Sequence, residues 1–132
     1  ARFADGWNTG AVGAEEYARK ASTVDESCRK MGRDPKTLIK SVNVLIILDK
    51  NKSKAEKLKE WARGWKSPRP IWQIYVDVSI TGTPEDVTSG LKKYMDAGAE
   101  YFMLYFPTLY SDAPNLESVY LFADEVIPQL VL

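Results

Sequence analysis

Histidine is absent from the 132 residues, and with it go the Ser-His nucleophilic triad, a His-ligated metal centre and an imidazole proton shuttle. Cysteine occurs once, at Cys28, which excludes an internal disulfide. On an apolar helical stripe, that thiol is expected to act as buried filler rather than as a nucleophile. A lone cysteine fits a reducing compartment, so a cytoplasmic protein is the expectation. Net charge is missing too: 18 Lys and Arg balance 18 Asp and Glu along the whole chain. No basic footprint for nucleic acid or an anionic membrane results. The densest positive stretch, Lys50 to Lys59, reads as the solvated face of a helix. Long apolar runs are also lacking; the longest aliphatic one, Val44 to Leu48, is far too short to span a membrane, and the N-terminus has no signal-peptide layout.

What is present is periodic. Tyr17, Ala21, Val24, Cys28 and Met31 recur at helical spacing, and Gly32 with Asp34-Pro35 marks the stop. Ile39 to Leu48 alternates at first and then turns continuously apolar, the pattern of a strand covered on both faces. Ser53 precedes a second helical stripe, Ala55, Leu58, Ala62 and Trp65, halted by Pro68-Arg69-Pro70. From Trp72 to Ile80 apolar and polar residues alternate strictly, which favours a strand with one wet face. "TGTPEDV" announces a helix from Pro84, with Thr83 as cap and Glu85 and Asp86 against the helix dipole. Val87, Leu91, Tyr94 and Met95 form its inner face, and Gly98 closes it. Tyr101 to Phe106 reads as a buried strand ended by Pro107. Leu116, Val119, Ala123 and Val126 supply a last helix, limited by Pro128. Strands alternating with helices imply parallel pairing through right-handed crossovers, hence a single α/β domain over residues 1–132.

Four segments, "ARFADGWNTG", "CRKMGRDPKTLIKSVNV", "ITGTPEDVTSGLKKYMDAGAEYFMLYF" and "LFADEVIPQL", resemble in order and spacing the C-terminal part of the luciferase-like monooxygenases. That (β/α)8 TIM-barrel family includes bacterial luciferase and F420- or flavin-dependent oxidoreductases. The resemblance implies a partial barrel, in which "DGWN", Ile39 to Leu48 and Tyr101 to Phe106 are the last strands, about three in number with their helices. A complete barrel needs about 250 residues, so the expectation is a C-terminal fragment whose earlier strands are not supplied. It also places the region before the GTPE helix outside the barrel strands, in tension with the alternation from Trp72 to Ile80.

In such a barrel, reacting groups sit at the carboxyl ends of strands and in the loops after them. By resemblance, Asn8 and Thr9 would contact the cofactor and Trp7 would wall a ring; the plainer reading makes Trp7 core and Asn8-Thr9-Gly10 a turn. Asn43, which shares a strand face with Ser41, and Phe106 are further candidates for lining a substrate pocket. No catalytic residue and no metal ligand is assigned. Gly10-Ala11-Val12-Gly13 precedes a helix, yet it matches neither a P-loop nor a dinucleotide fingerprint, and Glu15 and Glu16 would repel an anion there. The family's cofactor is F420 or FMN, and the chain alone is expected to hold neither. The expected partners are a small-molecule substrate of the intact enzyme and either the missing N-terminal half of the barrel or further copies of this chain. A noncatalytic, self-associating α/β module is the alternative.

Overall fold

The structure is a computed structural model and describes residues 1–65 and 70–130. Pro68 and Arg69 of the expected proline stop lie outside the described residues. Strand β1 spans Gly6–Gly10 and is followed by helix α1, Ala14–Lys30. A 3-10 turn at Pro35–Thr37 leads into β2, Ile39–Leu48. Helices α2 (Lys52–Gly64) and α3 (Ile71–Asp77) precede the short strand β3, Ile80–Gly82. Then come α4 (Pro84–Asp96), β4 (Tyr101–Tyr105) and a 3-10 turn at Pro107–Tyr110. The terminal helical segment comprises α5 (Glu117–Leu121), a π-helical turn (Phe122–Val126) and α6 (Ile127–Leu130).

All strand pairs are parallel, and all run through β2. Gly6 to Gly10 pair with Ile39 to Asn43, Tyr101 to Tyr105 with Ser41 to Leu45, and Ile80 to Gly82 with Ile46 to Leu48. Residues 41–43 therefore pair with β1 and β4 at once, which sets those strands on opposite sides of β2. Because successive side chains alternate between faces, the register defines two surfaces. Val42, Val44, Ile46 and Leu48 join Trp7, Phe102, Leu104 and Phe106 in a core with residues of α1, α4 and the terminal helices. Leu45 and Ile47 point the other way and are covered by Ala62 of α2 and Val76 of α3. Val44 to Leu48 is thus continuously apolar because both faces of β2 are packed there.

Several local signals act as the sequence requires. Gly32 has φ +71, and Arg33 N donates to Cys28 O at 2.9 Å, closing α1 with a left-handed glycine that satisfies its last carbonyls. Thr83 and Asp86 cap each other reciprocally at the start of α4, worth about 1 kcal/mol.

Other expectations are corrected. Asn8, Thr9 and Gly10 belong to β1 and are not a turn. Residues 71–77 are helical: Trp72, Tyr75 and Val76 pack inward at three- and one-residue steps while Ile71 and Ile74 stay exposed, so the period-two reading was a coincidence of composition. Asn51 rather than Ser53 caps α2, its side chain accepting from Lys54 N at 3.2 Å. Met31 and Met95 are exposed; each lies at the C-terminal end of its helix. Strand β4 is covered on one face only; Tyr101 is 65% exposed. In the last helix Ser118, Phe122 and Val126 are buried while Leu116 and Ala123 face solvent. Pro128 cannot donate to the carbonyl four residues back, and the turn before it widens to a π bond from Ile127 N to Phe122 O.

Candidate functional site

The face of the sheet turned away from α1 and α4 carries a chain of polar side chains. Asn8, in the middle of β1, stands opposite Ser41 and beside Asn43 by register. Its Nδ2 donates to Ser41 Oγ at 2.8 Å and to Asn43 Oδ1 at 3.0 Å. Ser41 Oγ donates to the Trp7 carbonyl at 3.2 Å. Asn43 Nδ2 in turn donates to the Tyr105 hydroxyl at 3.4 Å, a long bond across to β4. In this network the Tyr105 hydroxyl only accepts and, among the described residues, Asn8 Oδ1 accepts nothing, so the Tyr105 O–H and Asn8 Oδ1 remain available to a ligand. The Tyr75 ring approaches Tyr105 edge-on, with centroids 5.7 Å apart. Its hydroxyl lies against Gly10, where a Cβ would collide with it and would come within 2.9 Å of Asn43 Cβ.

Of the residues singled out in the sequence, Asn8 and Asn43 are brought together here. Trp7 and Thr9 fall on the opposite strand face: Trp7 packs against Tyr17 at 5.5 Å, and Thr9 pairs with core residue Val42. Phe106 sits in the helix-side core, 5.7 Å from Phe122. Neither Trp7 nor Phe106 shares a surface with Asn8. Sequence reasoning missed Tyr75 and Tyr105. The spacing of Trp72, Tyr75 and Val76, one side of a short helix, was the available signal for the first.

A separate open cleft of about 390 Å³ lies at the carboxyl end of β2, lined by Asp49, Lys54, Lys57, Thr108, Asn115 and Glu117 among others. Its lysines face an equal number of carboxylates, which leaves no net preference for an anion. Among the described residues, no cluster of three or more His, Cys, Asp or Glu could hold a metal, and no helix is long and apolar enough to cross a membrane.

On the helix side, Tyr17 is fully buried and its hydroxyl has no partner. Burial, aided by the negative charges of Glu100 and Asp25, pushes its pKa up to about 12. Burial also raises that of Tyr94, whose hydroxyl donates to Val12 O at 2.9 Å. Both phenols stay protonated at neutral pH and act as packing.

The parallel sheet with its flanking helices is similar to the fold of several solved structures. Over 98% of its length the chain matches 46% of the coenzyme F420 dependent tetrahydromethanopterin reductase from Methanopyrus kandleri, with TM-score 0.70 and 16% identity. The chain has the luciferase-like fold. It likewise matches 44% of an F420-dependent secondary alcohol dehydrogenase in complex with an F420-acetone adduct, with 98% of the chain covered, TM-score 0.69 and 19% identity. The oxygenating constituent of 3,6-diketocamphane monooxygenase from Pseudomonas putida, in complex with FMN, is similar over 95% of the chain and 43% of its own, with TM-score 0.67 and 18% identity. The chain thus spans less than half the length of each of these luciferase-like structures. No protein-family model and no curated protein matches the sequence.

Proposed function

We propose that this chain supplies one wall of the cofactor and substrate pocket of a luciferase-like, F420- or FMN-dependent oxidoreductase or monooxygenase. The observation that carries the reading is the polar chain Asn8–Ser41–Asn43–Tyr105 on the sheet face that a closed barrel would turn to its lumen. F420 or FMN would provide hydride transfer or, for a flavin, activation of dioxygen. Asn8 Oδ1 and the Tyr105 hydroxyl can hydrogen-bond the edge of a planar ring or a substrate oxygen, and their shared network fixes their orientation. The same face offers no cation among Asn8, Ser41, Asn43, Tyr75 and Tyr105, so a phosphate tail would need partners from elsewhere. Those partners, and the rest of the barrel, would come from the earlier strands. The chain alone is therefore inactive and cofactor-free. The buried, unpaired Cys28 supports a cytoplasmic setting for the parent enzyme.

The test is to titrate the purified chain with FMN and with F420 and follow quenching of cofactor fluorescence. No stoichiometric binding is expected alone, and binding is expected on co-expression with the first half of a luciferase-like barrel. A flavin retained by the chain through gel filtration would refute the one-wall reading.

One observation favours a second reading, a self-associating module without catalysis. Ile39 is 54% and Met103 39% exposed on the uncovered sheet face, beside the unpaired outer edges of β1 and β4. Parallel sheets are ordinarily covered on both faces. Light scattering that gives a dimer or larger species, reverted to monomer by Met103→Lys, would support it; a monomer at high concentration would dismiss it.

A further inference from the structure

Helix α3 is a displaceable strap over the carboxyl end of the uncovered sheet face, and the geometry points to Tyr75 as its latch and Gly10 as the seat of that latch. The inference does not depend on any cofactor.

A seven-residue helix does not form alone in water, and this one is built from poor helix formers. Ile71, Trp72, Ile74, Tyr75 and Val76 are β-branched or aromatic, residues that lose side-chain freedom in a helix and are at home in strands. No side chain caps its N-terminus. The strict alternation from Trp72 to Ile80 suits an extended chain equally well. Whatever keeps residues 71–77 helical must therefore be tertiary.

Those tertiary contacts run to α2, to the sheet, and from the Trp72 ring to Trp65 and Tyr110, with centroids 5.0 and 6.3 Å away. Trp72 Nε1 donates to Ala62 O at 2.8 Å, Gln73 Nε2 donates to Arg63 O at 2.9 Å, and Arg63 pairs with Asp77. The Arg63–Asp77 pair is solvent-exposed and worth little. Only Val76 and the Tyr75 ring reach the sheet, against Leu45, Ile47 and Tyr105. The Tyr75 hydroxyl then fits over position 10, the one place on β1 beneath it where no side chain intervenes. Glycine serves here by close approach rather than by an unusual φ, since Gly10 is not among the residues with positive φ.

Docking and helix formation of residues 71–77 are thus one event. Lifting the strap removes the Val76 side of the cover over Leu45 and Ile47, now 1% and 0% exposed, and leaves Ala62 of α2 as the other. Anything that takes the space over Gly10, a ligand or another sheet, has to displace Tyr75 from it.

Hydrogen exchange followed by mass spectrometry on the whole chain tests this. In the wild type, amides 71–77 should exchange faster than those of α4, reporting local opening. Tyr75→Ala should accelerate residues 71–77 at least tenfold and leave α1 and α4 unchanged. Gly10→Ala should accelerate the same residues, and adding the milder Tyr75→Phe to it should restore part of the protection, because the hydroxyl is the colliding group. Unchanged exchange of residues 71–77 in Tyr75→Ala would overturn the proposal. So would loss of protection in α1, α4 and α3 together, since the segment would then have no independence.

Discussion

The Asn8 amide nitrogen reaches Asn43 Oδ1 at 3.0 Å while it also donates to Ser41 Oγ at 2.8 Å, so one side chain of β1 organises two of β2. Replacing it with alanine removes both bonds on a partly solvated face, and a loss of about 1 kcal/mol is expected in urea denaturation. Asn8→Asp is expected to cost more at neutral pH, because a carboxylate oxygen would take the place of the donor opposite Asn43 Oδ1. Acidification into the carboxyl range should recover part of that loss, a pattern alanine cannot show.

Tyr17 buries a hydroxyl without a partner, and Tyr17→Phe is expected to be neutral or stabilising by up to about 1 kcal/mol at pH 7. Burial raises its pKa to about 12 from the ordinary tyrosine value of 10.0. Between those values the unfolded chain loses a proton that the folded chain keeps, so stability falls as pH rises through this window. Melting temperature measured against pH should decline less steeply in Tyr17→Phe than in the wild type. Tyr94, raised in the same direction by burial, leaves a residual decline.

At the start of α4 the backbone N–H of Thr83 holds the Asp86 carboxyl below the ordinary aspartate value of 3.8, a depression that burial opposes and Lys52 reinforces. A depressed folded pKa contributes stability above the unfolded value and loses it as pH falls through the folded one. Thr83→Ala should cost about 1 kcal/mol. Asp86→Asn should flatten the acid limb of the stability profile below about pH 4. Chemical denaturation at pH 3 and pH 6 gives the comparison.

The same glycine-to-alanine change should have opposite signs at two helix ends. Gly98 terminates α4 with φ +93, where Ala99 N bonds Tyr94 O at 2.9 Å; alanine there is expected to destabilise by about 1 kcal/mol. Gly64 is the last residue of α2, without positive φ and with nothing near the position of a Cβ. Gly64→Ala should stabilise by about 0.5 kcal/mol through helix propensity and a less flexible unfolded chain. Paired thermal melts would show the reversal.

Strong local chemistry was legible. The bounds of β2 followed from its apolar run, and the start of α4 from Thr83-Pro84-Glu85-Asp86, where cap, ring and charge all agree. Helix α3 was not legible, because Trp72 to Ile80 satisfies a strand pattern throughout while its inward residues also satisfy a helix, and only contacts with α2 and the sheet decide between them. The candidate site was half legible for a related reason. Polar strand residues such as Asn8 and Asn43 could be named, but a strand turns over at each residue. That single step separates Trp7 from Asn8 and Phe106 from Tyr105, and it sends the first of each pair to the helix side. Tyr75 reaches the site through tertiary placement that no local pattern encodes.

The pairing scheme gives β2 a singular burden, because among the described residues β1, β3 and β4 pair with no strand except it. Its partners begin 33, 34 and 60 residues away along the chain, from Gly6 to Ile39, Ile46 to Ile80 and Ser41 to Tyr101. During synthesis β1 can pair with β2 only once residues 39–43 have emerged, and β4 meets Ser41 only 60 residues after it. Assembly of this kind is slow, since long loops close before any reward arrives. A lesion at Val42, which pairs with Thr9 on one side and Phe102 on the other, would disturb two ladders at a stroke, whereas one in β1, β3 or β4 would disturb its own.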